Sequence, residues 1–567
     1  MSGATVIVQG TTTGTTTTAG KFTIQVTPAS ILEVKFLGYK TAEVKVGTQT
    51  NLTIKLETTS ETIQDVVVTA LGMTRERKSL GYSVGDIKGE AFEKVRELNV
   101  INSLAGREPG LIISQTAGGP SGSSHVEIRG SSMLTGNNQP LYVVDGMPID
   151  NTNFGSANKD GGYDLGDGIS SINPDDIESL SVLTGASAAA LYGNRGANGV
   201  ILITTKKGSA DHSTHVSYSN NTTFSNPFVT HQFQNTYGRQ SGDFKSWGEK
   251  LGKPSSYDPN DFFQTGYNTQ NTVSVASSSE RSQSFVSAGS VNSRGIIPNN
   301  EYDRYNFTFR NTSYFLKDKL RLDASASYIY QKDQNMTNQG VYSNPLVPAY
   351  LFPRGENFAI YKKFERYNPG TKLMEQFWSA DMEGGDLRMQ NPYWIAYRNL
   401  RNTDKKRYML SFSASYDILP WLSVSGRVRL DNSNSLYTQK LYASSNTTIT
   451  DGGKNGHYTE ARAYDTQTYA DVMLNINKTF GDDWSLTANV GASLNNIKTD
   501  ELSYRGPIQE NGLPNIFNVF DLDDTKKRAE KVGWHDQTQS VFASVEVGWK
   551  QMLYLTCLLY TSDAADE

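Results

Sequence analysis

Long runs in which apolar and polar residues alternate one for one constrain this chain more than any other feature. In residues 422–431, Leu422, Val424, Gly426, Val428 and Leu430 share one face of an extended chain, while Ser423, Ser425, Arg427, Arg429 and Asp431 share the other. Residues 486–494 repeat the pattern, with Leu486, Ala488, Val490, Ala492 and Leu494 opposed by Thr487, Asn489, Gly491 and Ser493. Residues 320–330, 410–416, 472–476 and 541–549 do likewise. In a soluble sandwich one face would meet a core. Two arginines and an aspartate on one face fit the water-filled lumen of a membrane barrel better, its apolar face turned to lipid. Trp421 and Trp484 each stand just ahead of a strand, behind Pro420 and Asp483, where an aromatic girdle belongs. From these residues the barrel is favoured and the sandwich stays open.

Composition narrows the class further. The 567 residues suffice for several domains, and Lys+Arg 53 against Asp+Glu 58 gives a formal charge of −5, which excludes a general polyanion binder and with it nucleic acid. Hydrophobic residues make up only 37%, and no apolar run is long enough for a transmembrane helix, yet aromatics reach 11% and glycines number 50. Outer-membrane barrels share this composition, because strands that alternate faces never accumulate a long apolar stretch. The single cysteine, Cys557, leaves no intrachain disulfide and no thiolate metal site. Met1 to Gly20 holds neither a basic cluster nor an apolar core, so a secretory signal is expected to be missing from this chain.

Residues 1–57 read as a small β unit, with Phe22, Ile24 and Val26 alternating with polar residues and Val34, Phe36, Leu52, Ile54 and Leu56 continuing the pattern. The phrase "VQGTTTGTTTTAGKFTI...FLGYKTAEVKV" resembles the carboxypeptidase regulatory-like (transthyretin-like) β-sandwich domain, without its usual opening strand. A linker, 58–81, follows, with the short β-branched run Asp65, Val66, Val67, Val68, Thr69 near its centre. Alone that run reads as an edge strand. Residues 82–207 then carry "NVINSLAGREPGLIISQTAGGPSGSSHVEIRGSSMLTGNNQPLYVVDGMPIDN" and "GISSINPDDIESLSVLTGASAAALYGNRGANGVILITTKKG". These phrases are similar, almost from end to end, to the plug of SusC/RagA-type TonB-linked (TonB-dependent) outer-membrane transporters.

Physically this region reads as a compact α/β unit. Ile128, Leu141 to Val144 and Val200 to Ile203 are expected as buried strands. A helix is expected from Pro174 to Ser181, capped by Asn173 with Pro174 first and Asp175 and Asp176 complementing the dipole. Ala186 to Leu191 reads as a second helix, after which the glycines at 193, 196 and 199 turn the chain into a strand. "GNRGANG" follows a helix and precedes a strand, the reverse of a phosphate loop. Asp145, before Gly146, reads as a turn residue rather than an acid–base catalyst.

Catalytic constellations are sparse. His457 and Glu460 have the HxxE spacing of zinc peptidases, but residues three apart on a strand face opposite sides, so a zinc hydrolase is a remote alternative. His535 has no third-ligand context, and His212 with His215 reads as an exposed pair. "DLDD" at 521–524 lacks calcium-loop spacing. Asn-X-Ser/Thr sites such as Asn221 and Asn446 carry no meaning in a bacterial outer membrane. Neither cofactor nor metal is expected.

The resemblance implies a 22-stranded barrel over residues 208–552, of which about a dozen strands are legible here. A plug of about 125 residues has a diameter of roughly 35 Å. Twelve strands tilted about 40° close to only about 24 Å, and 22 close to about 43 Å. The expected fold is therefore mainly β: an incomplete transmembrane antiparallel barrel, an α/β plug and the N-terminal sandwich, in a fragment truncated at both ends. Residues 553–567, where "CLLYTSDAADE" drops the alternation, read as a non-native tail.

The resemblance further implies function. Residues 65–69 would be the TonB box, an extended segment that pairs with the periplasmic energiser TonB by β-augmentation. A SusD-like surface lipoprotein would cap the barrel, and the cargo would be an oligosaccharide or peptide imported across the outer membrane. Plug loops 131–140 and 151–168 offer Asn137, Asn138, Asn153, Phe154 and Tyr163 to bond and stack such a substrate. A surface receptor that signals without importing is the alternative.

Overall fold

The computed structural model describes the chain apart from residues 1–4, 9–12, 18–19, 36–41, 48–50, 56–65, 69–73, 77–83, 90–95, 117, 132–137, 152–159, 165, 185–187, 189–191, 210–211, 241–242, 380–388, 482, 551 and 567. Two compact units divide it, one formed by residues 1–67 and 74–80, the other by 68–73 and 81–567.

The first unit holds β1 (Thr5–Val8), β2 (Gly14–Thr16), β3 (Ile31–Lys35) and β4 (Ala42–Lys45) in one sheet ordered β2-β1-β3-β4. Val6, Leu32, Val34 and Val46 form its core, with Phe22, Ile24, Val26, Leu52 and Ile54 packed against them. These are apolar positions of the expected alternation; Phe36 and Leu56 lie outside the described residues. Further on, β5 (Val66–Val68) pairs with β6 (Thr74–Glu76).

The second unit begins with an α/β body. Its strands are β7 (Val84–Lys88), β8 (Leu111–Gln115), β9 (Ser124–Ile128), β10 (Leu141–Val144), β11 (Met147–Ile149), β12 (Ile177–Leu183) and β13 (Val200–Thr205). Five form a mixed sheet, β11-β10-β13-β12-β7, in which only β10 and β13 run parallel, and β8 pairs with β9. Tyr142, Val144, Ile201 and Ile203 face one core with Val100, Ile101, Leu104 and Leu180. Near-continuous apolar runs such as 141–144 and 200–203 fit strands covered on both faces.

One expectation is corrected. Asn173 does cap a turn, its side chain accepting from Asp175 N at 3.2 Å with Pro174 first, but that turn is a single 3₁₀ turn (Pro174–Asp176) and β12 starts at Ile177. The cap signal was real and the helix was not, because "IESLSVL" has β-branched and alternating character that pairs on both sides with β13 and β7. Of the expected 186–191 helix only Ala188 lies within the described residues.

The remaining strands build one wall: β14 (Thr214–Ser225), β15 (Gly266–Ser278), β16 (Ser282–Arg294), β17 (Glu301–Phe315) and β18 (Leu320–Gln334), then, after the small hairpin β19 (Glu365–Asn368) and β20 (Leu373–Gln376), β21 (Asn399–Leu419), β22 (Leu422–Tyr442), β23 (Gly456–Phe480), β24 (Trp484–Pro507), β25 (Arg528–Trp549) and β26 (Leu553–Asp566). Omitting the hairpin, they form an eleven-stranded antiparallel sheet in sequence order. Eleven is half of the 22 implied by the resemblance. Residues 553–566, expected to leave the alternation, pair along their whole length with β25, since backbone pairing tolerates almost any side chain.

Tight turns at 279–281, 316–319 and 420–421 and the short connections after β23 and β25 lie at one end of this wall; the longer connections after β14, β18, β22 and β24, described over 226–240, 243–265, 335–379, 389–398, 443–455 and 508–527, lie at the other. Helices α1 (Leu346–Leu351) and α2 (Pro392–Arg398) lie in these longer connections. Their core is aromatic: Phe352, Phe358, Trp378 and Met389, with Phe244, Tyr257, Tyr361 and Tyr393 against them.

Candidate functional site

The wall presents two chemically different faces. Outward, apolar side chains meet in register: Phe412 opposes Val428, Phe309 opposes Val286 and Val472 opposes Ala492. Val428, Val472, Val490 and Val541 are 43–56% exposed, an apolar band on a folded surface that water would penalise and hydrocarbon would solvate. At the tight-turn end the band is rimmed by aromatic and cationic groups. Trp484 and Trp549 lie 6.4 Å apart by ring centroid, and Lys478 Nζ and Lys550 Nζ sit 4.7 Å from the Trp421 ring and 5.3 Å from the Trp549 ring. Trp421 and Trp484 thus stand where a girdle was expected. No helix among the described residues is long and apolar enough to cross a membrane.

Inward, the face is polar, and it grips the α/β body. Arg304 Nη1 donates to the Ser170 carbonyl, and Asn306 Nδ2 donates to the Ser171 carbonyl at 2.7 Å. Arg407 Nη1 donates to the Gly168 carbonyl at 2.6 Å and to Ser171 Oγ, while its Nε and Nη2 fork onto Asp431 at 2.8 and 2.7 Å. Arg429 donates to the Met147 and Val144 carbonyls at 3.0 and 2.8 Å, and Gln467 Nε2 to the Pro148 carbonyl at 3.3 Å. Arg427 pairs with Asp471 at 2.8 Å. The inward charges were expected to line water; instead Arg429 is 3% exposed and Asp431 6%, docked on the body and on each other. Carbonyls at strand ends and turns have unused lone pairs, and a fixed guanidinium fork satisfies them without matching a particular side chain.

Asp145 carries the plainest charge contact. Asp145 and Gly146 take φ of +50° and +79°, the two left-handed residues of a tight hairpin turn between β10 and β11, as expected of an Asp-Gly pair. The turn aims the carboxylate at the wall: Arg310 Nη1 lies 3.1 Å from Asp145 Oδ1, and Thr205 supplies its N–H at 3.0 Å and its hydroxyl at 2.8 Å. Burial alone would raise this carboxyl; Arg310, Thr205 and Arg429 outweigh it and hold it below the usual carboxylate range. Close by, burial pushes the Asp176 carboxyl up to about 6. Both acids, with Asn306, Arg310 and Arg429, line a cavity of about 50 Å³ between body and wall. A space of that size admits a few waters and no saccharide or peptide.

At the loop end, two acids organise "GGYDLGDG". Asp164 accepts from the Ser123 N–H (2.7 Å) and hydroxyl (2.8 Å), from Gly166 N (2.9 Å) and from Thr116 Oγ1. Asp167 accepts from Asn99, Ser124 N and Ser170 N, and burial holds its carboxyl above the ordinary range. Tyr163, immediately before Asp164, stacks on Tyr437 of β22 at 5.2 Å with 13° between planes, and the Arg401 guanidinium lies 5.7 Å above the Tyr163 ring. Among the predicted substrate residues, then, Tyr163 stands at a junction of body and wall and Asn138 is half-buried, with a partner of its own. Asn137, Asn153 and Phe154 lie outside the described residues, as do Asp65 and Thr69 of the predicted TonB box, whose Val66–Val68 form β5. Tyr437 and Arg401 were not singled out from sequence. Strand alternation puts Tyr437 on the inward face with Arg429 and Asp431, but only the register Thr403↔Tyr437 brings it level with Arg401.

The zinc arrangement does not form. His457 Nε2 lies 3.3 Å from Asp451, on the buried side, whereas Glu460 is held by Tyr458 Oη (2.9 Å) and Arg462 Nε (3.1 Å). No group of three or more His, Cys, Asp or Glu side chains is placed to hold a metal among the described residues.

An α/β body, held through its carbonyls and Asp145, thus sits on the polar face of an antiparallel wall whose other face is apolar. Comparison with known proteins agrees: residues 76–200 match the TonB-dependent Receptor Plug Domain model and residues 1–68 the CarboxypepD_reg-like domain model. The chain is 34% identical to TonB-dependent receptor SusC of Bacteroides thetaiotaomicron over 59% of this chain and 32% of that protein. It is 27% identical to TonB-dependent receptor P26 of Formosa agariphila over 98% of this chain and 54% of that one. The solved RagAB peptide importer in its open-open state superposes with a TM-score of 0.68 at 18% identity, over 88% of this chain and 56% of that chain, which bears on fold alone. The chain is similar in sequence and fold to SusC/RagA-type TonB-dependent receptors. It spans about a third to about half of the length of the curated relatives it matches.

Proposed function

We propose that the complete receptor imports oligosaccharides or peptides across the outer membrane, powered through TonB and capped outside by a SusD-like lipoprotein. One observation carries this reading: Arg407 and Arg429 seat a folded plug on the wall, and the gap between them at Asp145, Asp176 and Arg310, about 50 Å³, is too small for a saccharide or peptide, so passage along this contact would need the plug to be moved by an external force. TonB, pairing with residues 65–69 by strand addition, supplies that force. The β-branched run at 66–68, extended as β5, supports the assignment. Oligosaccharide and peptide are the two cargo classes that the family resemblance implies, and both are kept here. Tyr163 with Tyr437 and Arg401 would take the substrate by stacking and hydrogen bonding, and Asn137, Asn138, Asn153 and Phe154 are proposed from sequence alone to contribute. In domain terms, 1–57 is the regulatory-like sandwich, 58–81 the linker, 82–207 the plug and 208–552 the barrel portion.

The test is uptake of a pool of labelled oligosaccharides and a pool of labelled peptides by cells carrying the complete receptor. Accumulation of one pool that stops when the proton gradient is collapsed supports import; gradient-independent accumulation of both overturns it.

A further inference from the structure

Arg310, Arg407 and Arg427 of the wall each face a carboxylate, and Arg304 and Arg429 donate to plug carbonyls. Arg401, on β21, differs from all of them. It is 7% exposed, and its backbone is pinned, the N–H donating to Asn335 Oδ1 at 2.8 Å and the carbonyl accepting from Asn335 N at 2.7 Å. No carboxylate or carbonyl among the described residues accepts from its guanidinium, and Nε is fully enclosed without an acceptor. Asp333, opposite the next inward residue Thr403, makes no ion pair with it. Plug segments 132–137 and 152–159 contain no Asp or Glu.

What faces the Arg401 fork is phenolic. The Tyr437 hydroxyl lies toward both Arg401 and the Tyr163 hydroxyl, and it too is enclosed without completing a hydrogen bond. One cation beside two neutral hydroxyls leaves a positive charge with no counter-charge, where burial makes that costly. A carboxylate satisfies all three groups. The planar fork of a guanidinium matches its two oxygens, and a phenol donates to either.

We propose that Arg401, Tyr437 and Tyr163 bind a carboxylate of the cargo, so that the receptor selects acidic molecules, whether uronic-acid oligosaccharides or acidic peptides. The inference rests on the import reading for the presence of a cargo. Stacking on Tyr163 and Tyr437 accepts a charged and a neutral molecule alike; the arginine does not. A neutral cargo of the same shape leaves the guanidinium uncompensated and forfeits charge-assisted hydrogen bonds, each strong enough to shift affinity about tenfold or more. A buried group that the wrong ligand leaves unpaired is a strong discriminator.

The experiment is retention of the labelled pools by the complete receptor in detergent micelles. Each pool is measured before and after its carboxylates are neutralised, by methyl-esterification of the peptides or by reduction of uronic acids to neutral sugars. Neutralisation should lower retention about tenfold or more in one pool, and the pool that responds identifies the source of the carboxylate. Arg401→Met should bring the ratio of untreated to neutralised retention to about one. Should that variant fail to fold, Tyr437→Phe, which keeps the stacked ring and loses the hydroxyl, should lower the ratio about threefold. A ratio of about one in the unmodified receptor, no retention of either untreated pool, or a ratio that neither substitution moves overturns the carboxylate site. Retention needs neither TonB nor a proton gradient. A ratio of about one therefore leaves the import reading standing, and gradient-independent uptake leaves the ratio intact.

Discussion

Arg310 of the wall lies 3.1 Å from Asp145 of the plug and 3.2 Å from Asp323 of the adjoining strand, so one guanidinium bridges the plug's tight turn and the wall. Removing one partner of such a site leaves a buried charge short of its counter-ion. Asp145→Asn should loosen the plug by about 2–3 kcal/mol, below the usual range for a broken buried pair because Asp323 still holds Arg310. A double-mutant cycle with Arg310→Met, read by the denaturant dependence of plug protection in the full-length receptor, should give a coupling of about 1–3 kcal/mol. Additive effects would mean that the contact contributes nothing to seating.

The two acids of the small cavity respond to pH with opposite sign. Asp176, raised from 3.8 to about 6, binds its proton more tightly in the folded protein, so stability is highest below its unfolded value and falls as pH rises from about 4 to about 6. The loss amounts to about 3 kcal/mol. Asp145 is lowered, so its contribution is present above the unfolded value and disappears as pH falls through the folded one. Asp176→Asn should flatten the fall between pH 4 and 6 and stabilise the plug at neutral pH; an unchanged pH profile in thermal unfolding of the complete receptor would contradict the burial argument.

The apolar belt makes a separate prediction. Val490→Arg, on the outward face, should cost about 2–4 kcal/mol of folding into lipid and lower the yield of heat-resistant receptor in the membrane. Asn489→Ser, one residue along and inward, should leave that yield nearly unchanged.

Stacking at the outer face is tested by Tyr163→Ala and Tyr437→Ala. Each should weaken binding of whichever labelled pool is imported by about three- to tenfold, and the pair together should cost little more, because either change removes the same stack. Full additivity in a binding titration would mean that the two rings act independently.

Much of this was legible in one chain. Strict alternation around Arg427, Arg429 and Asp431 assigned those side chains to one face, and the Asp145-Gly146 pair announced its hairpin turn. What covers that face was not legible. Alternation reports a polar side without saying whether water or a protein body meets it, so the wall charges read as lumen when they are plug anchors. The Asn173-Pro174 cap misled for a similar reason: capping chemistry is the same for one turn as for five, and the pairing of β12 with β13, fixed by tertiary contact, decided the outcome. Tyr437 and Arg401 stayed hidden because register between strands is absent from the spacing of any single one.

The central claim is that force on residues 65–69 moves the plug to admit substrate. Val67→Pro removes a backbone donor from the segment that TonB would pair with, while leaving plug, wall and the Tyr163 stack untouched. Uptake of the labelled oligosaccharide and peptide pools, measured beside surface binding in cells carrying the complete receptor, is the most direct measurement. Uptake should fall to background with binding unchanged; uptake at the unmodified rate would contradict the account.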